Sequence, residues 1–462
     1  MPLLALDIGS SSTRAALFEP DGRRAGQLFA QRYSLHYGEH GAATLDPLAL
    51  RDAVRAALAQ FSSYESVASC AFWHGLLGLD RKRRPVTPIY TWADSRSLSD
   101  AARLRAQFSE NKILQRTGCM LRFPFWPAKL RWLPHAQPTL FRRVQFWVSP
   151  SDWIFHDLHG ELATSESMAS GTGLFNQQTR KWDSELCDAA GVKETQLPVI
   201  LPALADGRVL TAIGDGAASN IGSGATAENI AAINLGTSAA VRVMTRRALR
   251  VPYRLFRFVV SEQAFVLGGA ISNAGNLRDW CRDKLHLADS ARLDREAAAR
   301  DTLITLPFVV AERSPDWPEF PGAISGYNRS TTPLDIFRTF TTSAFYRLAD
   351  IFDLLEKSIG PIERIIISGG MSRSPEIVAI LADALGRNLE LGIETEASLR
   401  GAALHAQNGQ LISPVARGRL IRSNNALAEL HRRRRRKQRL FARSFLIQDP
   451  AIMRSKRGRT LA

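Results

Sequence analysis

Cysteine is scarce in this sequence, four residues in 462. Cys70, Cys119, Cys187 and Cys281 stand far apart, with no C-x-x-C pair among them. That spacing excludes a disulfide framework and a zinc site built on paired cysteines, and it fits reduced thiols in a core. Long apolar runs are missing too. None reaches the ~18 residues that a membrane-spanning helix needs. The apolar start, Met1 to Leu6, ends at Asp7 and has no basic leader, so it does not read as a secretory signal. A cytoplasmic protein without membrane insertion is expected. Disorder is excluded as well, because 45% of the residues are hydrophobic and only 23% are charged. A chain of this length has room for two or three domains, each large enough to bury a core.

Acidic residues are outnumbered, giving a net charge of +16, but the excess is local. From Arg417 onward there are 15 Lys and Arg and only two acids, Glu429 and Asp449. The residues before Arg417 are therefore close to neutral. Arg432 to Arg436, Lys437, Arg439 and Arg443 fall within a helical stretch, roughly residues 425–446. Five successive arginines cover every face of a helix. Leu427 and Leu430 before the run, and Leu440, Phe441, Phe445 and Leu446 after it, could still pin both ends to the body. A solvated helix with surplus charge is the ordinary reading of such a run. The alternative is an electrostatic contact with an acidic surface, RNA or anionic lipid. Only Phe441 and Phe445 are there for base stacking, so any nucleic-acid contact would be non-specific and salt-dependent.

The body reads as two similar halves. Leu3 to Phe18 (LLALDIGSSSTRAALF) and Ile230 to Val243 (IAAINLGTSAAVRV) are both short apolar runs split by a Gly/Ser/Thr turn, the pattern of a β-hairpin. Helical spacing covers Leu48 to Phe61 and Ile336 to Ile359. Ile362 to Ile367 is a β-branched strand, and Pro375 to Leu385 a helix with Pro in its first turn. Alternating strands and helices imply an α/β architecture, and the repeated hairpin suggests a duplicated domain.

Four segments could carry chemistry. The turn after Asp7 offers Gly9 for close backbone approach and Ser10, Ser11 and Ser12 as hydroxyl and N–H donors for phosphate, and Asp7 could reach a magnesium ion. Gly236, Thr237 and Ser238 form the matching turn of the second half, and two such turns could hold a triphosphate from opposite sides. Asp215, between Gly214 and Gly216 after an apolar run, could serve as a base for an attacking hydroxyl; D-G is also a common turn dipeptide. Gly369 and Gly370, followed by Met371 and Ser374, could seat a flat ring. Each has an ordinary structural alternative, a polar turn or a strand-to-helix loop.

Taken in order, these segments resemble the FGGY carbohydrate kinases of the actin-like ATPase superfamily, over about Leu3 to Ala406. Asp7 to Arg14 looks like the family's first phosphate motif, with Ser10 in place of Thr. Trp92 to Arg96 looks like its W-x-D-x-R segment, and Lys129 to Leu133 like its K-x-x-W-L helix. Asp215 falls where the family keeps its base, Gly236 to Ala239 at the second phosphate motif, and Gly369-Gly370 at the adenosine motif. Glu396 to Ala403 resembles the element that follows. The wording around His74 to Asp80 and Thr91 to Arg96 is most similar to gluconokinase-type members, and xylulokinase-type members also carry the His-Gly pair.

The resemblance implies two actin-like (ribonuclease H-like) α/β domains around an ATP/sugar cleft. The expected division is a sugar-binding domain at 1–206, a nucleotide-binding domain at 207–409 and a basic helical tail at 410–462, with the first boundary near Leu204 to Gly207. It implies ATP and Mg2+ as cofactors, a carbohydrate substrate, and Asp215 as general base. It implies phosphate contacts from Ser10, Ser11, Ser12, Arg14, Gly236, Thr237 and Ser238, and nucleotide contacts from Gly369, Gly370, Met371 and Ser374. His74, Gly75, Trp92 and Asp94 are the sugar contacts, and Asp7 the metal contact. A gluconate-like acceptor is expected; a ketose kinase and a non-catalytic sugar or ATP sensor are the alternatives, and a homodimer is left open. Two departures bear on the substrate. Pro124 stands where glycerol-type members carry tyrosine. The second-half signature is altered from Gly326 onward, at Tyr327 and across Thr339 to Ser343.

Overall fold

The computed structural model describes residues 1–201, 208–313, 322–407 and 416–448, the side chains of 445–448 excepted. The first hairpin forms as expected, with β1 (Leu3–Ile8) and β2 (Ser12–Phe18) paired from Leu3–Phe18 to Ile8–Thr13. Every residue of β1 is buried, Asp7 included, and the apolar run Leu3–Leu6 fits that burial. β3 (Arg24–Arg32) adds to β2 antiparallel. Helix α1 (Pro47–Leu58) starts where the Asp46 carboxylate accepts the Leu48 N–H and Pro47 fills the first turn. β4 (Val67–Ala71) lies parallel to β1. A helical layer including α2 (Trp126–Ala136) follows, and β5 (Ile213–Gly214) then closes the sheet parallel to β4. The sheet order is β3-β2-β1-β4-β5. The first sheet thus takes its last strand from beyond residue 206; Leu204 to Gly207, where the boundary was expected, lie outside the described residues. Helix α3 (Asp215–Gly222) leads into the second half.

There β6 (Ile230–Leu235) and β7 (Ala239–Thr245) make the second hairpin. β8 (Phe256–Ser261) and β9 (Ala264–Ile271) follow. The long helix α4 (Pro333–Ile359) precedes β10 (Arg364–Ser368), α5 (Pro375–Leu385), β11 (Leu389–Leu391), α6 (Ala397–Ala406) and β12 (Leu420–Ile421). The order β8-β9-β7-β6-β10-β11-β12 contains, as β9-β7-β6-β10-β11, the order and strand directions of the first sheet. The repeat legible in the two hairpins extends to the whole sheet.

The halves interlock. Helix α6 lies on the first sheet, with Leu399 and Ala403 packed against Ala5, Ala16 and Phe18. It crosses α3 backbone to backbone: a Cβ on Gly401 would stand 1.8 Å from the Ala218 carbonyl oxygen, and one on Gly222 the same distance from that of Ala397. Arg400 seals the crossing by donating to the carbonyls of Gly22 (3.0 Å) and Gly222 (2.7 Å). In the other direction β8 docks on the first half, where Val259 N–H donates to Ser170 Oγ at 2.9 Å and Phe258 joins a core with Trp73 and Ile213.

The tail helix α7 (Asn425–Gln448) forms where expected, but it is not a solvated rod. Leu427, Ala428, His431 and Gln438 are buried against the body. Arg434 donates to the carbonyls of Ala298 and Leu303. Arg435 and Arg439 share Asp350 and Asp353, and Gln438 donates to Thr305 O at 3.0 Å. The expected apolar pins hold at Leu427 but fail at Leu440, which is 57% exposed; the side chains of Phe445 and Leu446 lie outside the described set. The reason is chemical. Guanidinium and amide groups reach carbonyls and carboxylates that apolar side chains could not satisfy.

Replacing Gly401 by Ala forces a methyl into the crossing of α3 and α6, and overpacking of this kind costs about 1–3 kcal/mol. The Gly401→Ala protein is expected to unfold at lower urea or lower temperature than the parent. An unchanged midpoint would show that the two helices have room to separate.

Candidate active site

The register Ile8–Ala71–Gly214 across β1, β4 and β5 puts the Asp7 turn and Asp215 at the same carboxyl-end edge of the first sheet. They are two strand spacings apart, about 10 Å between backbones. Ligands of α/β sheets gather at that edge. In the turn, Gly9 N–H donates to Ser12 O (3.0 Å) and the Tyr33 hydroxyl donates to Gly9 O (2.6 Å), which fixes Ser10, Ser11 and Ser12 around the bend. Asp7 is buried. Arg14, its cross-strand neighbour, donates to the Asp7 carboxylate and, through its other terminal nitrogen, to Glu396 at 2.6 Å. Glu396 immediately precedes α6, so this ion-pair chain ties the first turn to the second half.

Asp215 opens α3. Its flanking glycines are explained by packing: a Cβ on Gly214 would stand 1.8 Å from the Trp73 ring, and one on Gly216 only 2.6 Å from Arg242 Nε. The carboxylate accepts the Gly216 N–H at 2.7 Å. Burial pushes its pKa up to about 6 against the pull of Arg242, and the charge of Asp7 adds to the rise. Two cations of the second half face it. Arg242 comes from β7 and Arg313 follows the buried Glu312. Burial lowers the pKa of both, that of Arg313 to about 10. Arg313 stacks 4.5 Å over the Trp92 ring and donates to Ile271 O at 3.1 Å. The Nε–H groups of Arg242 and Arg313 are buried and have no hydrogen-bond partner among the described residues.

His74 adopts a left-handed backbone (φ 71°) and meets the Gly171 carbonyl through Nδ1 at 2.5 Å. Burial drives its pKa down to about 3, so the ring is neutral, and that contact puts its proton on Nδ1. The Nε2 atom is left as an acceptor. Lys129 of α2 is fully enclosed. Its ammonium donates to the carbonyls of His74 (3.0 Å), Tyr90 (3.4 Å) and Thr91 (2.7 Å), and burial lowers its pKa to about 7. This lysine staples the His74 and Trp92 loops together. Gly75 accepts the Trp126 indole N–H at its carbonyl, 3.1 Å away. Asp94 turns inward: both oxygens are engaged by Arg96, and one also accepts the Ala43 N–H.

On the second sheet the pairing Asn234–Ser368 aligns the ends of β6 and β10. It brings Gly236, Thr237 and Ser238 beside Gly369 and Gly370. Thr237 is exposed. Gly369 needs its freedom, with φ 98° and a phantom Cβ 2.4 Å from Leu235 O, whereas nothing would crowd one on Gly370. Met371 is partly buried against the core, and Ser374 caps α5 by accepting the Ile377 N–H.

The structure therefore brings Asp7 and its turn, Asp215, His74 and Trp92 around Arg242 and Arg313, and sets the Gly236–Ser238 turn beside Gly369 at the matching edge of the second sheet. It commits Asp94 and Ser374 to structural bonds and Arg14 to two carboxylates. Sequence reasoning missed Arg242, Arg313 and Trp73. Arg242 is one charge in an otherwise apolar strand, and that was a readable signal; Arg313 had none.

Against known proteins, the chain matches the model of the FGGY family of carbohydrate kinases, N-terminal domain, over residues 2–226, and that of the C-terminal domain over residues 231–407. It is 26% identical to the gluconokinase of Bacillus licheniformis over 444 residues, covering 87% of this chain and 86% of that one. It is 28% identical to the glycerol kinase of Koribacter versatilis over 446 residues, covering 87% and 89%. The crystal structure of gluconate kinase from Lactobacillus acidophilus superposes with a TM-score of 0.84 at 23% identity, covering 96% of this chain and 98% of that one.

The raised pKa of Asp215 makes stability depend on pH. The folded state holds the proton more tightly than the unfolded chain does, so this contribution is full below about pH 4 and is lost as pH rises through about 6. Asp215→Asn should therefore unfold later than the parent at pH 7, by up to about 3 kcal/mol, with the difference closing toward pH 4. Parallel denaturation curves at both pH values would show that Asp215 keeps an ordinary carboxylate pKa.

Proposed function

The chain belongs to the FGGY family of carbohydrate kinases, and from that premise we propose that it phosphorylates a sugar acid, gluconate or a close relative, with Asp215 as general base. Members of this family are ATP-dependent sugar phosphotransferases. The observation that carries the substrate class is the pair of buried guanidinium groups, Arg242 and Arg313, each with an unpaired Nε–H beside Asp215. A carboxylate on the acceptor beside these guanidinium groups would offset two desolvated cations. A ketose would find the same base but offer only neutral oxygens, which leave the two charges uncompensated.

In this reading the first domain, 1–206 with β5 and α3, holds the sugar and the second holds the nucleotide. Trp92 offers a ring face to the sugar carbons, already flanked by Arg313. His74 Nε2 accepts a hydrogen bond from a sugar hydroxyl. Asp215 takes the proton of the attacking hydroxyl. A pKa of about 6 leaves it ionised at neutral pH and still basic enough for that transfer. The Ser10–Ser12 and Gly236–Ser238 turns grip phosphate oxygens with backbone and hydroxyl donors, and Gly369-Gly370 and Met371 bed the adenine. Phosphoryl transfer asks chiefly for alignment and charge neutralisation, which these groups supply.

Magnesium fits the donor set through Asp7. Among the described residues no three His, Cys, Asp or Glu side chains gather into a cation site. Magnesium bound with a nucleotide usually needs only one or two carboxylates beside the phosphates. When bound, it would supply neutralisation of phosphate charge.

A screen of sugar acids, ketoses and polyols for ADP release tests the substrate. Aldonic acids should be the best acceptors and glycerol poor. Arg313→Met should reduce kcat/KM for the acid at least about tenfold while sparing uncharged sugars. Efficient use of glycerol or a ketose, with no response to sugar acids, would end the assignment. Asp215→Asn should keep its fold and lose turnover by roughly 10²–10⁴-fold. Near-normal turnover would remove it as the base. Asp7→Ala and Thr237→Ala should weaken use of ATP-magnesium more than sugar binding measured without nucleotide; the opposite pattern would take these turns away from phosphate.

A further inference from the structure

Two sequence features take no part in the catalytic reading: the altered segment Thr339 to Ser343 and the cationic run of the tail. The fold brings them together. Ser343 on α4 accepts the Thr305 hydroxyl at 2.9 Å, and its carbonyl lies 3.5 Å from Gln438 Nε2 of α7. Beside this contact, between α7, α4 and the loop after Arg300, is a cavity of about 420 Å3. Its lining includes Arg300, Asp301, Ser343, Arg433, Arg434 and Lys437. No residue of the cleft takes part in it.

We propose that this cavity is a second anion site, separate from the cleft, that takes a small phosphorylated molecule. Four cations line it against one acid. That acid is already engaged, since Asp301 accepts from Arg338 at 3.2 Å and from the Thr339 hydroxyl. Arg434 is held in place by the carbonyls of Ala298 and Leu303, and neither neutralises its charge. Arg433 shares Glu429 with Arg432. Arg300 and Lys437 are exposed, with no ion-pair or hydrogen-bond partner among the described residues. The cavity thus holds one fixed guanidinium, two unpartnered cations and a half-neutralised fourth. Arginine forks and a lysine ammonium suit the oxygens of a phosphomonoester. The volume is in the range of small-ligand sites, roughly 300–1,000 Å3. A recess of this size favours a small anion over a polymer, which would lie along the outward arginines instead.

The test is calorimetric titration of the full chain with inorganic phosphate and, separately, glucose 6-phosphate, at about physiological ionic strength. The parent is compared with Arg300→Gln/Lys437→Gln and with Arg422→Gln/Arg436→Gln, which removes the same charge outside the cavity. Melting curves check that all three are folded. The first pair should lose at least about tenfold in affinity for the bound probe, with ADP-release turnover unchanged, and the second should bind like the parent. Binding of glucose 6-phosphate alone would identify a sugar phosphate as the ligand; equal binding of both probes would identify free phosphate. Undiminished binding in the first pair would confine the anion to the cleft and overturn the proposal. So would equal losses in both pairs, which would reflect net charge. Tighter binding of a single-stranded oligonucleotide, weakened alike by both pairs, would make α7 a nucleic-acid surface and overturn it too.

Discussion

Two glycines let α3 and α6 cross with backbone against backbone, and the cleft is hung from that crossing. The first residue of α3 is Asp215, and Glu396 stands immediately before α6. Fixing the two helices against each other therefore fixes Asp215 together with the ion-pair chain Glu396–Arg14–Asp7, which joins the two halves. Arg400 reinforces the contact with hydrogen bonds to carbonyls on both sides of it. A side chain larger than hydrogen at either glycine would move both elements at once.

Around this crossing, the buried cations divide into two kinds. Lys129 loses water and regains three carbonyl acceptors, so its charge is accounted for by the fold itself. Arg242 and Arg313 lose water and keep Nε–H donors with no partner among the described residues. A buried donor without an acceptor costs on the order of 1–3 kcal/mol, more when charged. Two such donors at one point are what the proposal of an anionic acceptor rests on. The neutral His74 ring and the raised carboxyl of Asp215 belong to the same buried, positively biased volume.

The frame was legible because strand-turn-strand units are local. LLALDIGSSSTRAALF and IAAINLGTSAAVRV carry their own register, and Pro375 to Leu385 forms the expected helix residue for residue. Asp215 drew attention through its glycine neighbours, although the reasons for those glycines, the Trp73 ring for Gly214 and Arg242 for Gly216, lie far from it in the chain. Asp94 was read as a ligand contact because it lies in a suggestive motif; its neighbour Arg96 takes both its oxygens. Arg313 comes to the site only because β9 ends beside it, and no spacing in the sequence reports that. The polar seating of the tail helix was not legible for a related reason. A run of arginines does not show which of them face outward, and the answer depends on Ala298, Leu303, Asp350 and Asp353, all far away in sequence.

The seating of α6 on the first sheet has a consequence for biosynthesis. The face formed by Ala5, Ala16 and Phe18 is made early, and its cover, Leu399 and Ala403, is nearly the last part of the body to be translated. At roughly 5–20 residues per second, that apolar face waits some tens of seconds for its partner. The nascent amino-terminal half therefore leaves the ribosome with this patch of its sheet uncovered, the kind of transiently exposed apolar surface through which incomplete chains associate.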